Sequence, residues 1–438
     1  MAPSHLVEGS YLRQLPLASH KRAAYSITMT TVWYKHVHAD FCSKPCILGQ
    51  ELIAQLGKSS KWTIYALSHS KKPELPSNAQ HISLDLLGSP SDMASSLQGI
   101  KTAEYVFFSA YLQKPSEQES WDINGDMLQN FLDALHTAGI ASTVKRIVLV
   151  TGAKQYGVHL GPVKNPMQES DPWLRENQFP PNFYYRQQDI LKKFCDERNK
   201  EGNKISWTVT YPNDVIGHAH GNFMNLAGAL GIYVTISKEL NQELTFPGSE
   251  RFYTGFDSFT SASLHADFCE WAVFQDKAAN QAFNVINGDV ESWQNLWPKV
   301  AKHFGMKVNQ NQFKQNNGSL SSSVELNPTA PLSIYAKEAG FEPPPGRLES
   351  NIDLTKWSQQ DNVKKAWNKI VKRDGVREDG LEKATWSFLS FVLGRNYDLV
   401  MSMSKARELG WTGYEDTWVG LEKALNRLEE DKIIPKQK

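Results

Sequence analysis

The stretch Arg146-Ile147-Val148-Leu149-Val150-Thr151-Gly152-Ala153-Lys154 decides the fold of this chain. Its apolar run is too short and too β-branched for a helix, and it reads as a parallel strand buried on both faces. Lys154 then lies just past the strand's carboxyl end, where open α/β sheets place their ligands. Further on, Asn182-Phe183-Tyr184-Tyr185 opens with a residue suited to cap a helix, and residues 185–195 continue in helical style. One crevice is thereby offered a Tyr and a Lys. A phenol alone is a poor acid at neutral pH, whereas an ammonium beside it stabilises the phenolate and eases proton donation.

Outward from this stretch, strand-like runs recur at residues 62–67, 81–84, 105–108 and 206–211, with helical patterns clearest at 48–56 and 125–138. Such alternation predicts an α/β fold, a Rossmann-like doubly wound parallel sheet with helices on both faces. Residues 308–331 turn polar and rich in Asn, Gln and Ser, which reads as a loop or linker. Beyond it, helical segments near 362–372, 385–392 and 419–428 predict a smaller, mainly helical C-terminal lobe closing over the site. The expected organisation is a divergent segment 1–46, a Rossmann-like domain 47–300 and the lobe 301–438.

Composition narrows the function classes. The chain has 438 residues, with Lys+Arg 47 balancing Asp+Glu 47, so no net field favours nucleic acid or an anionic membrane. No apolar stretch is long enough to span a bilayer, and no clean signal sequence opens the chain. A cytoplasmic protein acting on a small molecule is expected, with a homodimer left open. Four Cys do not suggest a disulfide framework. Cys42 and Cys46 near His36 and His38 match no standard zinc spacing, so no metal is expected. Asn317-Gly318-Ser319 is a chance sequon in this setting.

The Thr-Gly-x-Lys after one strand and the first Tyr of Asn-Phe-Tyr-Tyr carry a resemblance. The chain resembles the divergent branch of the short-chain dehydrogenase/reductase family, that of the plant progesterone 5β-reductases and iridoid synthases and their fungal relatives. That branch lacks the usual Tyr-x-x-x-Lys. The likeness extends to Ser116-Glu117-Gln118-Glu119, Asn225-Leu226, Ala282-Phe283-Asn284-Val285, Asn287-Gly288-Asp289 and Leu393-Gly394, and runs from about residue 47 onward. Gln188 stands where the family usually has Glu, and Tyr211 where it usually has Arg.

The resemblance implies an NADPH-dependent reductase, with NADH open as a substitute, acting on an α,β-unsaturated or simple carbonyl of a small apolar secondary metabolite. Tyr184 would donate to the substrate oxygen with Lys154 supporting it, and Tyr185 would pack. It implies cofactor contacts at Gly49, His69, Ser70, Lys71, Asp85, Leu86, Ala110, Tyr111, Val150, Val215, Asn222, Phe223 and Met224. The substrate pocket would take Tyr111, Met224, Trp386 and Phe388. His218 and His220 read as surface loop histidines. Two rivals stay open: a lyase, cyclase or epimerase on the same fold, and a non-catalytic protein with a damaged cofactor site.

The rival has a motive in the first strand. A dinucleotide fold needs an apolar strand running into a glycine-rich turn, so that phosphate rests on bare backbone at a helix N-terminus. Here Pro45-Cys46-Ile47 stand where Thr-Gly-Ile would, Cys46 brings a Cβ, and Pro45 lacks an N–H. No first strand is recognisable upstream. Similarity that begins so abruptly fits a misread splice junction better than a diverged lineage, and it predicts impaired dinucleotide affinity.

Overall fold

A computed structural model describes residues 30–34, 46–69, 75–176, 178–219, 222–314 and 320–437. Seven strands form the main sheet: β1 (Thr30–Tyr34), β2 (Trp62–Ser68), β3 (Ala79–Ser83), β4 (Tyr105–Phe108), β5 (Arg146–Val150), β6 (Ser206–Pro212) and β9 (Gln281–Val285). They lie in the order β3-β2-β1-β4-β5-β6-β9. All neighbouring pairs are parallel except those made by β1. Short β7 (Val215–Ile216) and β8 (Thr260–Ser261) pair beyond the sheet's carboxyl edge.

The slot expected for a missing first strand is filled, but in reverse. β1 pairs antiparallel with both β2 and β4, placing Thr31 opposite Tyr65 and Val32 opposite Tyr105. Its sequence, Thr-Thr-Val-Trp-Tyr, has the β-branched and aromatic content that a central strand favours, and a ladder can close in either direction. Reversal has a topological cost. β1 ends at the edge of the sheet opposite the site, and residues 35–45, between it and α1 (Ile47–Gly57), lie outside the described residues. Cys42, Pro45, His36 and His38 fall in that group.

Among the described residues up to His303 lie the helices α1, α2 (Pro90–Ser96), α3 (Glu117–Thr137), α4 (Phe183–Lys200), α5 (Leu226–Glu239), α6 (Glu250–Thr254), α7 (Ala262–Phe274) and α8 (Trp293–His303). α3 starts earlier than its pattern suggests because Ser116 and Glu119 form a reciprocal capping box. Two large apolar cores stand out among the described residues, beside two smaller clusters. One joins the sheet to its flanking helices, and residues 397–411 return to pack against it. The other gathers α5 and α8 with the helices Asp361–Asp374, Trp386–Gly394 and Thr417–Glu430 around Trp293, Trp297 and Trp367. α5 is buried almost all round, as expected of a helix shared between two layers.

The polar stretch 308–331 is not wholly loop. It contains β10 (Ser322–Glu325), paired antiparallel with β11 (Arg347–Ser350); residues 315–319 lie outside the described residues. Among the described residues no helix is long and apolar enough to cross a membrane.

Candidate active site

The site is built at the carboxyl edge of β4, β5 and β6. Past β5, Thr151 stays tied to β6 by hydrogen bonds from its N–H (3.0 Å) and Oγ1 (3.1 Å) to the Thr210 carbonyl. Gly152 then gives bare backbone. A Cβ there would stand 3.2 Å from the Pro212 carbonyl oxygen and 3.3 Å from Tyr184 Oη. The phenol of Tyr184 therefore rests directly over Gly152, and a side chain there would crowd it by a few tenths of an ångström.

Asn182 joins the two motifs. Its Oδ1 accepts from the Tyr184 N–H (3.1 Å) as the cap of α4, while its Nδ2 donates to the Lys154 carbonyl (2.8 Å). One side chain thus orients the tyrosine helix and the lysine turn together. Tyr185 packs as expected: it stacks on Trp173 at 4.8 Å and donates to the Gln155 carbonyl (2.7 Å). The two departures from the family pattern are partners. Tyr211 Oη donates to Gln188 Oε1 (2.8 Å), and Gln188 Nε2 donates to Gln155 Oε1 (2.8 Å) and the Tyr184 carbonyl (3.0 Å). A Glu and an Arg at 188 and 211 would meet as charges; here a neutral pair keeps the buried contact without an ionic desolvation cost.

Lys154 is engaged on its other side. Its Nζ lies 2.5 Å from Glu117 Oε2 and 5.2 Å from the centre of the Phe183 ring. No described hydrogen bond joins it to Tyr184. Burial raises the Tyr184 phenol above its ordinary range, and the Glu117 carboxylate raises it further. Tyr111 Oη is buried without a hydrogen-bond partner, and its phenol is likewise raised, by burial, then Tyr184, then Cys46. His159 holds both ring nitrogens buried and unpartnered, and burial, then Lys154, keep it neutral.

These residues surround a crevice of about 470 Å³. Tyr111, Lys154, Tyr184, Val215, Phe223, Met224 and Phe388 line it; so do Glu117, His159, Phe183, Asp214, Phe391 and Arg395, none of which was expected as a site residue. Trp386 does not. Its ring packs edge-on against Trp357 at 5.5 Å, and its Nε1 donates to the Leu381 carbonyl (3.1 Å). Helical phase explains the correction: from Trp386, the residues two and five positions on turn to the crevice and Trp386 itself to the second core. Asn222 also lies off the lining, its Oδ1 accepting from the Met224 N–H (3.0 Å).

Toward the other end of the sheet edge, His69 Nε2 stands 3.5 Å from Asp85 Oδ2, both half-exposed. Leu86 and Ala110 are buried within the sheet core, and Val150 packs beside the start of α1. Ser70, Lys71, Lys72 and His220 lie outside the described residues. Gly49 is buried in the first turn of α1. Cys46, at the cap position, supplies no side-chain cap, and the first turn carries no acidic residue. The leading N–H groups of α1 therefore have neither a side-chain cap nor a first-turn carboxylate beside them. Leu48 brings this helix start onto the crevice wall.

A sheet parallel apart from β1, with Tyr184 and Lys154 over one crevice, defines a short-chain dehydrogenase/reductase architecture. Residues 78–327 match the PRISE-like Rossmann-fold domain, and the chain belongs to that family. An uncharacterized protein of Schizosaccharomyces pombe is 39% identical over 88% of this chain and 95% of its own length. The 3-oxo-Delta(4,5)-steroid 5-beta-reductase of Arabidopsis thaliana is 28% identical over 85% of this chain and 86% of its own. The short chain dehydrogenase gsfE of Penicillium aethiopicum is also 28% identical, over 88% and 95%. Among solved structures, the Bordetella bronchiseptica enzyme WbmG in complex with NAD superposes with a TM-score of 0.52 at 13% identity, covering 89% of this chain and 93% of that one. That likeness speaks for the fold.

Proposed function

We propose that the protein is a nicotinamide-dependent reductase of an α,β-unsaturated carbonyl in a small apolar metabolite, with NADPH as the natural reductant. The observation that carries this reading is the Tyr184 phenol held over Gly152 at the crevice, with apolar walls from Phe183, Phe223, Met224 and Phe388. A bound dihydronicotinamide supplies the hydride. Tyr184 donates a hydrogen bond to the substrate oxygen, which becomes an enolate oxygen as the β-carbon is reduced. The aromatic and thioether walls bury the carbon skeleton and keep water from the reacting carbons. Relatives named as a dehydrogenase and a steroid 5-beta-reductase support the reaction class.

NADPH over NADH and a secondary-metabolite pathway belong to the same proposal and rest on the resemblance; a cytoplasmic setting belongs to it too and rests on composition. The test is loss of absorbance at 340 nm on mixing the protein, NADPH or NADH, and a panel of enones. Tyr184→Phe is expected to lower kcat by about a hundredfold, the scale of one lost oxyanion donor. Product formed without oxidation of the dinucleotide would favour the lyase or epimerase reading instead.

The reversal of β1 favours a second reading, a protein that binds the dinucleotide weakly. Titrating NADPH fluorescence separates the two. Saturable micromolar binding supports the reductase, and absent binding supports the second reading.

A further inference from the structure

The crevice joins a phenol to an ion pair, and the pair's geometry bears on which carbonyl reaction the site favours. Glu117 opens α3, fixed there by the Ser116–Glu119 capping box, so its carboxylate is carried on a rigid helix start rather than a loop. It reaches across to Lys154 at 2.5 Å, with both side chains 17% exposed. His159 Nε2 lies 3.9 Å from the other carboxylate oxygen, beyond hydrogen-bond reach. Tyr111, past β4, faces Tyr184 and in turn Cys46, before α1, while Glu325 on the crevice wall pairs with Arg347. Asp214 and Arg395, on the far wall, are already paired with each other.

We propose that Glu117 is a specificity-determining positioning residue: by holding Lys154, it keeps Tyr184 a neutral hydrogen-bond donor and biases the site toward 1,4- over 1,2-reduction. This rests on the reductase reading above. In 1,4-reduction the hydride forms a bond to the β-carbon, the C=C electron pair moves into the enolate, and the α-carbon later takes a proton from water. The enolate oxygen, its charge delocalised onto the α-carbon, is less basic than an alkoxide, and a neutral phenol donor suffices to stabilise it. In 1,2-reduction the hydride bonds to the carbonyl carbon and the C=O pair becomes an alkoxide, a far stronger base that must receive a proton. The donor would be Tyr184, leaving a phenolate that needs a free ammonium beside it. Glu117 withholds that ammonium and adds its own negative charge near the phenol.

The test begins without cofactor or substrate. Ring-13C-tyrosine is incorporated into the full chain, and the Tyr184 signal is assigned by its loss in Tyr184→Phe. In Glu117→Gln, ionisation of Tyr184 is expected about one pH unit or more lower than in wild type, since a like charge is removed and Lys154 is released. Adding Lys154→Met to Glu117→Gln should reverse the shift. Glu117→Asp, one methylene shorter, should move the signal in the same direction and serves if the Gln variant does not fold. An unchanged titration in folded variants overturns the proposal. With dinucleotide and substrate present, the ratio of kcat/KM for an enone to that for its saturated ketone should fall about tenfold in Glu117→Gln; an unchanged ratio also overturns it. If wild type reduces no enone, the reductase reading fails by itself, and the Tyr184 titration still decides whether Glu117 governs the phenol.

Discussion

Arg395→Met should destabilise this protein by about 4 kcal/mol. Arg395 is 1% exposed and meets Asp214 in a bidentate pair, Nη1 to Oδ2 and Nη2 to Oδ1 at 2.9 Å, while its guanidinium lies 4.8 Å from the Phe391 ring centre. Met retains the apolar contact and deletes the charge, leaving the Asp214 carboxylate buried without its counter-charge. Charge centres about 4 Å apart at an effective dielectric near 20 interact by about 4 kcal/mol. Breaking a buried pair from one side costs about 3–5 kcal/mol for the same reason. Asp214→Asn combined with Arg395→Met removes both charges and should recover about half the loss; Asn also tolerates the left-handed backbone, φ 33°, at this position. Guanidinium unfolding at pH 7, followed by tryptophan fluorescence and circular dichroism, reads both effects. A loss below about 1 kcal/mol in the single variant, or no recovery in the double, would refute the reasoning.

Asp257 completes this cluster. Its Oδ2 stands 3.7 Å from Arg395 Nη1, and burial, then Asp214, hold its carboxyl well above the usual range. A proton on Oδ2 turns that oxygen into a donor toward Asp214. The folded chain therefore keeps a proton that the unfolded chain releases, and stability from this group is lost as pH rises through the folded value. Asp257→Asn should flatten that dependence, as measured by unfolding midpoints from pH 5 to 8. His265 acts in the opposite sense. It is buried against Thr210 and Cys269, and burial lowers it from 6.5 to about 3. The unfolded chain takes up a proton below pH 6.5 that the folded chain refuses, so stability falls by about 1.4 kcal/mol per pH unit toward pH 3. His265→Gln should remove this loss between pH 7 and 5, and an equal loss in both proteins would contradict it. Asn182→Ala should cost about 1 kcal/mol as a lost cap, by thermal melting. Its kcat should fall further than that cost implies, because the Lys154 turn loses its anchor.

Sequence by itself determined much of this protein. The β-branched run at Arg146–Val150, its alternation with helical patterns and the Asn182 cap are local signals, and each produced the element they encode because burial and capping act within a few residues. The same locality explains the placing of Tyr184 and Lys154 at one sheet edge. Direction in a ladder is not a local property: either orientation satisfies the same backbone donors and acceptors, so the reversed β1 was not legible from its five residues. Helical phase set Phe388 and Phe391 on the crevice and turned Trp386 into the core, a choice made by the packing of the second core. Glu117 meets Lys154 across 37 residues, Tyr211 meets Gln188 across 23, and Arg395 meets Asp214 across 181. Such pairings carry no periodicity or spacing in the chain. Only the tertiary structure, by removing these groups from water together, decided which charge answers which.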